Sequence, residues 1–168
     1  DILPIETVIY PSKDNVKLTG NLGEVMKESA NIALGYIKSH AKELKIDLSK
    51  IDGSCIHVNA IEGGIPKDGP SAGTVLTTSI ISSLLNKPVD NTIAMTGEIS
   101  LTGKVLPIGG LKEKVIGGYR AGIKTFFIPK KNENDIEDIP NEIKKDINIV
   151  LVENYIDIYN EIFIKKKK

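Results

Sequence analysis

The sequence predicts an α+β (mixed α/β) fold, a single compact domain of several short strands in mixed sheets with packed helices. Short β-branched runs alternate with helix-period stretches, and Gly- and Pro-rich turns separate them at close intervals. No long parallel βαβ regularity and no internal repeat appears. With 168 residues, 40% of them apolar, the chain suffices for one real core and is short for two generous ones.

Ile5 to Tyr10 and Val16 to Thr19 read as two short strands separated by the turn Pro11–Asn15. A long amphipathic helix is predicted from about Gly23 to Leu44. Its face is Val25, Met26, Ser29, Ala33, Tyr36, Ile37, His40, Ala41 and Leu44, recurring at threes and fours. His40, near its C-terminal end, is given no chemistry. Ser54 to Asn59 is a strand with Ile56 and Val58 on one face and Cys55 and His57 on the other. A Gly- and Pro-rich loop, Ala60 to Pro70, leads into Ser71 and a helical run, Val75 to Leu85, stopped by Asn86-Lys87-Pro88. Thr92 to Met95, Glu98 to Leu101 and the segment around Val105 are β-like. Gly109-Gly110 opens a helix from Leu111 to about Arg120, closed by Gly122. Lys124 to Ile128 is a strand ending at Pro129, and Lys130 to Lys145 is polar with at most a short acidic helix. A strand at Ile147 to Val152 and a helix at Tyr155 to Phe163 close the chain.

Composition removes several function classes. Formal net charge is +0, so no global basic field recruits nucleic acid. The run Lys165–Lys168 has no interleaved aromatics and reads as a solvated tail over 164–168. Cys55 is the lone cysteine. It excludes an internal disulfide and Cys-pair metal sites, and favours a reducing compartment. No apolar run approaches membrane-spanning length, and residue 1 starts no signal peptide. A chain beginning with Asp1 is expected to be an excised domain or a processed product.

The organising stretch is Pro66-Lys67-Asp68-Gly69-Pro70-Ser71-Ala72-Gly73-Thr74. Its prolines and glycines force a sharp, rigid turn, which sets Ser71 at or just before a helix N-terminus. There Ser71 can be an ordinary N-cap, or a nucleophile if a base accompanies it. His57 is one base to weigh, but no Asp is placed in sequence to orient it. A lysine serves instead if burial lowers its pKa. Lys114 shares a helix face with Leu111, Val115 and Gly118, and Gly118 is expected to leave room for its stem. Lys112, beside Glu113, points elsewhere and reads as surface charge. For an arbitrary lysine, snorkelling from the core edge would be the default. The glycine-rich stretch Gly97–Val105 is not a P-loop, because the spacing is too long and Val stands where Ser or Thr binds the metal. Neither G-x-G-x-x-G nor H-E-x-x-H occurs.

Three blocks carry a resemblance. Pro66 to Gly73 resembles the nucleophile motif of the proteolytic domain of the Lon ATP-dependent proteases. Met95-Thr96-Gly97-Glu98-Ile99-Ser100-Leu101 and Gly103 to Lys114 are similar to that family's second block, and Leu18 to Ser29 to its first long helix. The likeness runs over residues 1–163. One departure is the approach His57-Val58-Asn59-Ala60-Ile61-Glu62-Gly63-Gly64, which lacks the family's usual Pro and is longer.

The resemblance implies a serine endopeptidase with Ser71 as catalytic serine and Lys114 as catalytic lysine, working through an acyl-enzyme intermediate. It implies that Thr96 orients Lys114. From the residues themselves, Asp68 is expected as a supporting residue, and the loop Gly69, Pro70 and Ala72, with the backbone N–H groups near Ser71 at the helix start, is expected to stabilise the oxyanion. Asp68 alternatively makes an Asx-type turn, since a carboxylate near Lys114 would raise its pKa. No metal and no cofactor is expected in this chain. ATP and Mg are expected on an ATPase domain that, like the family's N-terminal region, lies outside it. Expected partners are unfolded polypeptide substrates, an AAA+ ATPase domain in cis and further copies in a homohexamer, with no membrane or nucleic-acid site. The expected location is intracellular and soluble, in the mitochondrial matrix or the bacterial cytoplasm. Two other readings of the residues stay open: a phosphate-binding module at the helix N-terminus, and an assembly domain in which Ser71 is only a cap.

Overall fold

The computed structural model describes residues 3–61 and 69–165. Its first sheet holds β1 (Ile5–Pro11), β2 (Val16–Thr19) and β3 (Ser54–Ala60) in the order β1-β3-β2. The turn after β1 does not make a hairpin. β3 inserts between the two strands, antiparallel to β1 and parallel to β2. Burial explains the choice, since Ile56, Val58 and Ala60 are almost fully buried while Glu6 and Lys17 on the flanking strands are exposed. The most buried strand takes the centre.

Helix α1 (Glu24–Ser39) is shorter than the periodicity predicts. Ser39 Oγ donates to Tyr36 O, which also accepts from the His40 amide, so side-chain bonding competes with the next helical turn. Ala41 and Leu44 stay buried beyond the helix end, whereas Val25 is exposed. The His40 ring stacks on Tyr36. Helix α2 (Gly73–Leu85) ends where Asn86 turns left-handed.

The second sheet consists of β4 (Ile93–Met95), β7 (Thr125–Pro129) and β8 (Asn148–Val152), ordered β4-β7-β8 and parallel throughout. Here is the parallel regularity that the short, broken strands did not advertise. Between β4 and β7 lie a two-residue ribbon, β5 (Glu98–Ile99) with β6 (Val105–Leu106), and helix α3 (Leu111–Arg120). The polar stretch after β7 is a 3-10 helix, Lys130–Asp138, followed by the four-residue α4 (Asn141–Lys144). Helix α5 (Tyr155–Tyr159) loosens into a π-type turn over Asn160–Ile164.

The second sheet separates two hydrophobic clusters. Ile93, Met95, Phe127, Val150 and Val152 face the main core with α1, α2, α5 and the first sheet. Ala94, Phe126, Ile128, Ile149 and Leu151 face a smaller core completed by Leu111 and Val115 of α3, with Ile136, Ile139 and Ile143. Strict alternation along each strand sends successive side chains to opposite cores. The helix carrying Ser71 therefore belongs to one core and the helix carrying Lys114 to the other.

Candidate active site

Ser71 sits in a single 3-10 turn, Pro70–Ala72, that runs directly into α2. Pro70 fixes the first position of the turn, where a missing N–H costs nothing. Gly69 before it holds φ 133° and ψ 156°, a region essentially confined to glycine. Two backbone bonds tie the turn to the end of β4. Ser71 O accepts from Gly97 N–H at 2.9 Å, and Thr74 N–H donates to Gly97 O at 3.0 Å. Gly97 thus holds the turn on both sides. It has no room for a side chain, since a Cβ would fall 2.7 Å from Val105 Cγ1 and 3.2 Å from Thr74 Cγ2.

Lys114 comes from α3, whose buried face is Leu111, Val115 and Gly118, while Lys112 and Glu113 are exposed. Its side chain, half-buried at the edge of that face, reaches across the end of the sheet. Nζ donates to Ser71 Oγ at 2.8 Å and lies 3.5 Å from Thr96 Oγ1, the outer limit of a hydrogen bond. Burial pushes the Lys114 ammonium below its ordinary pKa. Among the described residues Lys114 enters no ion pair, so no carboxylate there works against that shift. Gly118 plays another part than expected. A Cβ there would lie 2.6 Å from Phe126 Cε1, so the glycine makes room for that ring and not for the lysine stem.

Ser71, Lys114 and Thr96 are thus brought together, with Gly69, Pro70 and Ala72 forming the turn around the hydroxyl. Pro70 carries no N–H and cannot itself donate to an oxyanion. Asp68, Glu62 and Lys67 lie outside the described residues. His57 is engaged elsewhere: Nδ1 bonds Tyr10 Oη and Nε2 bonds Thr19 Oγ1, each at 3.0 Å. Thr19 donates onward to Asn59 Oδ1, so it accepts from Nε2–H and leaves Nδ1 to accept from Tyr10. Both ring nitrogens are used in tying the first sheet together, and the alternative base falls away.

Sequence alone assigns no role to two residues beside the site. Gly97 is named only within a glycine-rich stretch and the second block, and Asn132 falls within the polar stretch, although its side chain is buried against the loop entering α3. Thr74, one turn beyond Ser71, has the buried side-chain polar atom left without a partner among the described residues. The described residues contain no cluster of three metal-ligating side chains and no helix long and apolar enough to cross a membrane.

A hydroxyl 2.8 Å from a partly desolvated amine has a proton acceptor in reach, the arrangement that nucleophilic catalysis requires. An α/β domain that holds such a pair at the end of a parallel sheet defines a class of serine–lysine site. Residues 1–165 match the family described as the Lon protease C-terminal proteolytic domain. The chain belongs to that family. It is 53% identical over 163 residues to Lon protease of Mycoplasma genitalium, covering 97% of this chain and 20% of that protein. It is 52% identical over 164 residues to Lon protease 1 of Syntrophobacter fumaroxidans, covering 98% and 20%. Lon protease of Malacoplasma penetrans is 51% identical over 164 residues. The chain therefore spans about a fifth of the length of these relatives.

Proposed function

We propose that residues 1–163 are a proteolytic domain that hydrolyses peptide bonds with a Ser71–Lys114 dyad. The observation that carries this is the 2.8 Å bond between Lys114 Nζ and Ser71 Oγ on an amine whose pKa burial lowers. Neutral Lys114 takes the Ser71 proton as Oγ attacks the peptide carbonyl. The tetrahedral intermediate collapses to an acyl-enzyme as the leaving amine receives that proton. Water then attacks the ester, Lys114 again holding its proton, and the acid product leaves with Ser71 restored.

By position in the 3-10 turn the amide of Ser71 lacks an intrahelical acceptor, while those of Gly73 and Thr74 are taken by Pro70 O and Gly97 O. The Ser71 amide, with the positive end of α2 behind it, is the donor offered to the oxyanion. Thr96 Oγ1 steadies Lys114. A phosphate-binding role would want Lys114 charged, and its burial opposes that.

In the full-length protein the domain works beside an AAA+ ATPase domain that binds ATP and Mg, in a homohexamer, on unfolded polypeptides inside the cell. The bacterial relatives favour the bacterial cytoplasm over the mitochondrial matrix. A peptidyl β-lactone tests the chemistry. Intact-mass and peptide mapping should place the acyl adduct on Ser71 and find none in Lys114→Ala. Equal labelling in that variant would sink the dyad.

A further inference from the structure

We propose that Asn132 is the positioning residue for Lys114: its buried amide clamps the loop from which α3 springs and so aims the lysine at Ser71. The inference rests on the dyad reading above. Asn132 is 3% exposed in a 3-10 helix that is otherwise largely solvated. An amide so placed must find partners, because an unmade bond there costs more than the site gains by burying it.

It finds three. Oδ1 accepts from Ile108 N–H at 3.0 Å, Nδ2 donates to Ile108 O at 2.8 Å, and Nδ2 also donates to Asp135 Oδ2 at 2.8 Å. A carboxylate only accepts, so Asp135 fixes which end of the amide is the NH₂ and leaves Oδ1 for the Ile108 N–H. The side chain acts as a strand partner for one residue of a loop that has none.

The clamped residue stands at a point of leverage. Gly109 and Gly110 follow Ile108, and nothing lies within 4 Å of a Cβ built on Gly109. Gly110 is left-handed and offers no side-chain cap to α3. Local chemistry therefore leaves the entry angle of the helix undetermined. Downstream, Lys114 N–H bonds Gly110 O, so the first turn that carries the lysine moves with that glycine. Asn132 supplies the constraint that the glycines lack, from a helix held by Ile136 and Ile139 in the same core as Leu111 and Val115.

Three variants test it: Asn132→Ala, the milder Asp135→Ala at an exposed position, and Ile143→Ala as a control in the same core without the clamp. The measurement is the rate of β-lactone acylation of Ser71 against pH, with thermal melts alongside. A displacement near 1 Å of the base costs on the order of 100-fold. Asn132→Ala should therefore lose roughly that factor, and Asp135→Ala a smaller one in the same direction. In both, the rate–pH limb should move to higher pH, because a lysine freed towards water regains its ordinary pKa. Peptide KM should stay within about twofold, since binding groups are untouched. Ile143→Ala should lower the melting temperature and leave rate and limb in place.

A folded Asn132→Ala with wild-type rate and limb overturns the proposal. Should that variant not fold, an Asp135→Ala limb identical to wild type does so. Wild-type protein that fails to acylate at Ser71 instead overturns the dyad itself.

Discussion

Gly97→Ala is the substitution that should separate folding from catalysis. The new Cβ would sit 2.7 Å from Val105 Cγ1, 3.2 Å from Thr74 Cγ2 and 3.4 Å from Pro129 Cγ, on a backbone with φ 151°. Ordinary contact needs separations nearer ~3.5–4.0 Å, so relief requires a shift of about 1 Å. Overpacking costs about 1–3 kcal/mol and the backbone conformation about 1–3 more. That total leaves a domain of ordinary stability weakened but folded. The shift cannot stay local. Gly97 N–H holds Ser71 O, Gly97 O holds the Thr74 amide, and Thr96 is its chain neighbour, so serine and lysine lose register together. A misplacement of that size costs about 100-fold in rate. The assay is Ser71 acylation and peptide hydrolysis below the melting temperature of the variant. A folded Gly97→Ala protein acylating within threefold of wild type would refute the claim that this glycine sets the dyad.

Lys114→Met should reduce acylation by at least ~10³-fold, the usual scale for losing a positioned base, while the melting temperature holds or rises because a desolvated ammonium is gone. In the wild type the acylation rate should climb with pH as Lys114 loses its proton. The lowered pKa puts that midpoint below the ordinary lysine value, and a titration of rate against pH checks it. Tyr159→Phe removes the 2.6 Å bond from Oη to Leu44 O and leaves a buried carbonyl unpaired. The expected loss is about 1–2 kcal/mol, or about 2–4 °C in melting temperature per kcal/mol, with acylation at low temperature unchanged.

Ser71 and Lys114 were legible in sequence because each obeys a local rule. The Pro–Gly turn announces a helix start, and a lysine on an apolar helix face announces desolvation. Most strands were legible through β-branched runs, within a residue or two at their ends. Sheet order was not, since β3 enters between β1 and β2 on burial that only the assembled core reveals. Gly118 was read against its own helix when its true neighbour is Phe126, contributed by a strand that follows it. Asn132 carries no local mark at all. Its meaning lies in Ile108, 24 residues earlier, and a polar side chain in a polar stretch gives no sign that it will be buried.

The placement of the dyad follows from the alternation of the second sheet. Phe126 and Phe127 send their rings to opposite cores, so α2 packs on one face and α3 on the other. Neither core alone carries both Ser71 and Lys114. Side chains from the two faces can meet only where the sheet stops. That place is the carboxyl end of its parallel strands, the customary location for sites in such sheets. β4 ends at Met95, and Thr96 N–H is still paired to Phe127 O, so Thr96 is fixed to the sheet at the line where the faces join. Its hydroxyl therefore faces Lys114 from one core while its neighbour Gly97 grips Ser71 from the other. A base carried on the Ser71 side would have had to displace the packed face of α2, whose residues Thr74, Leu76, Thr77 and Ile80 are fully buried. Bringing the lysine from the opposite face keeps both cores intact.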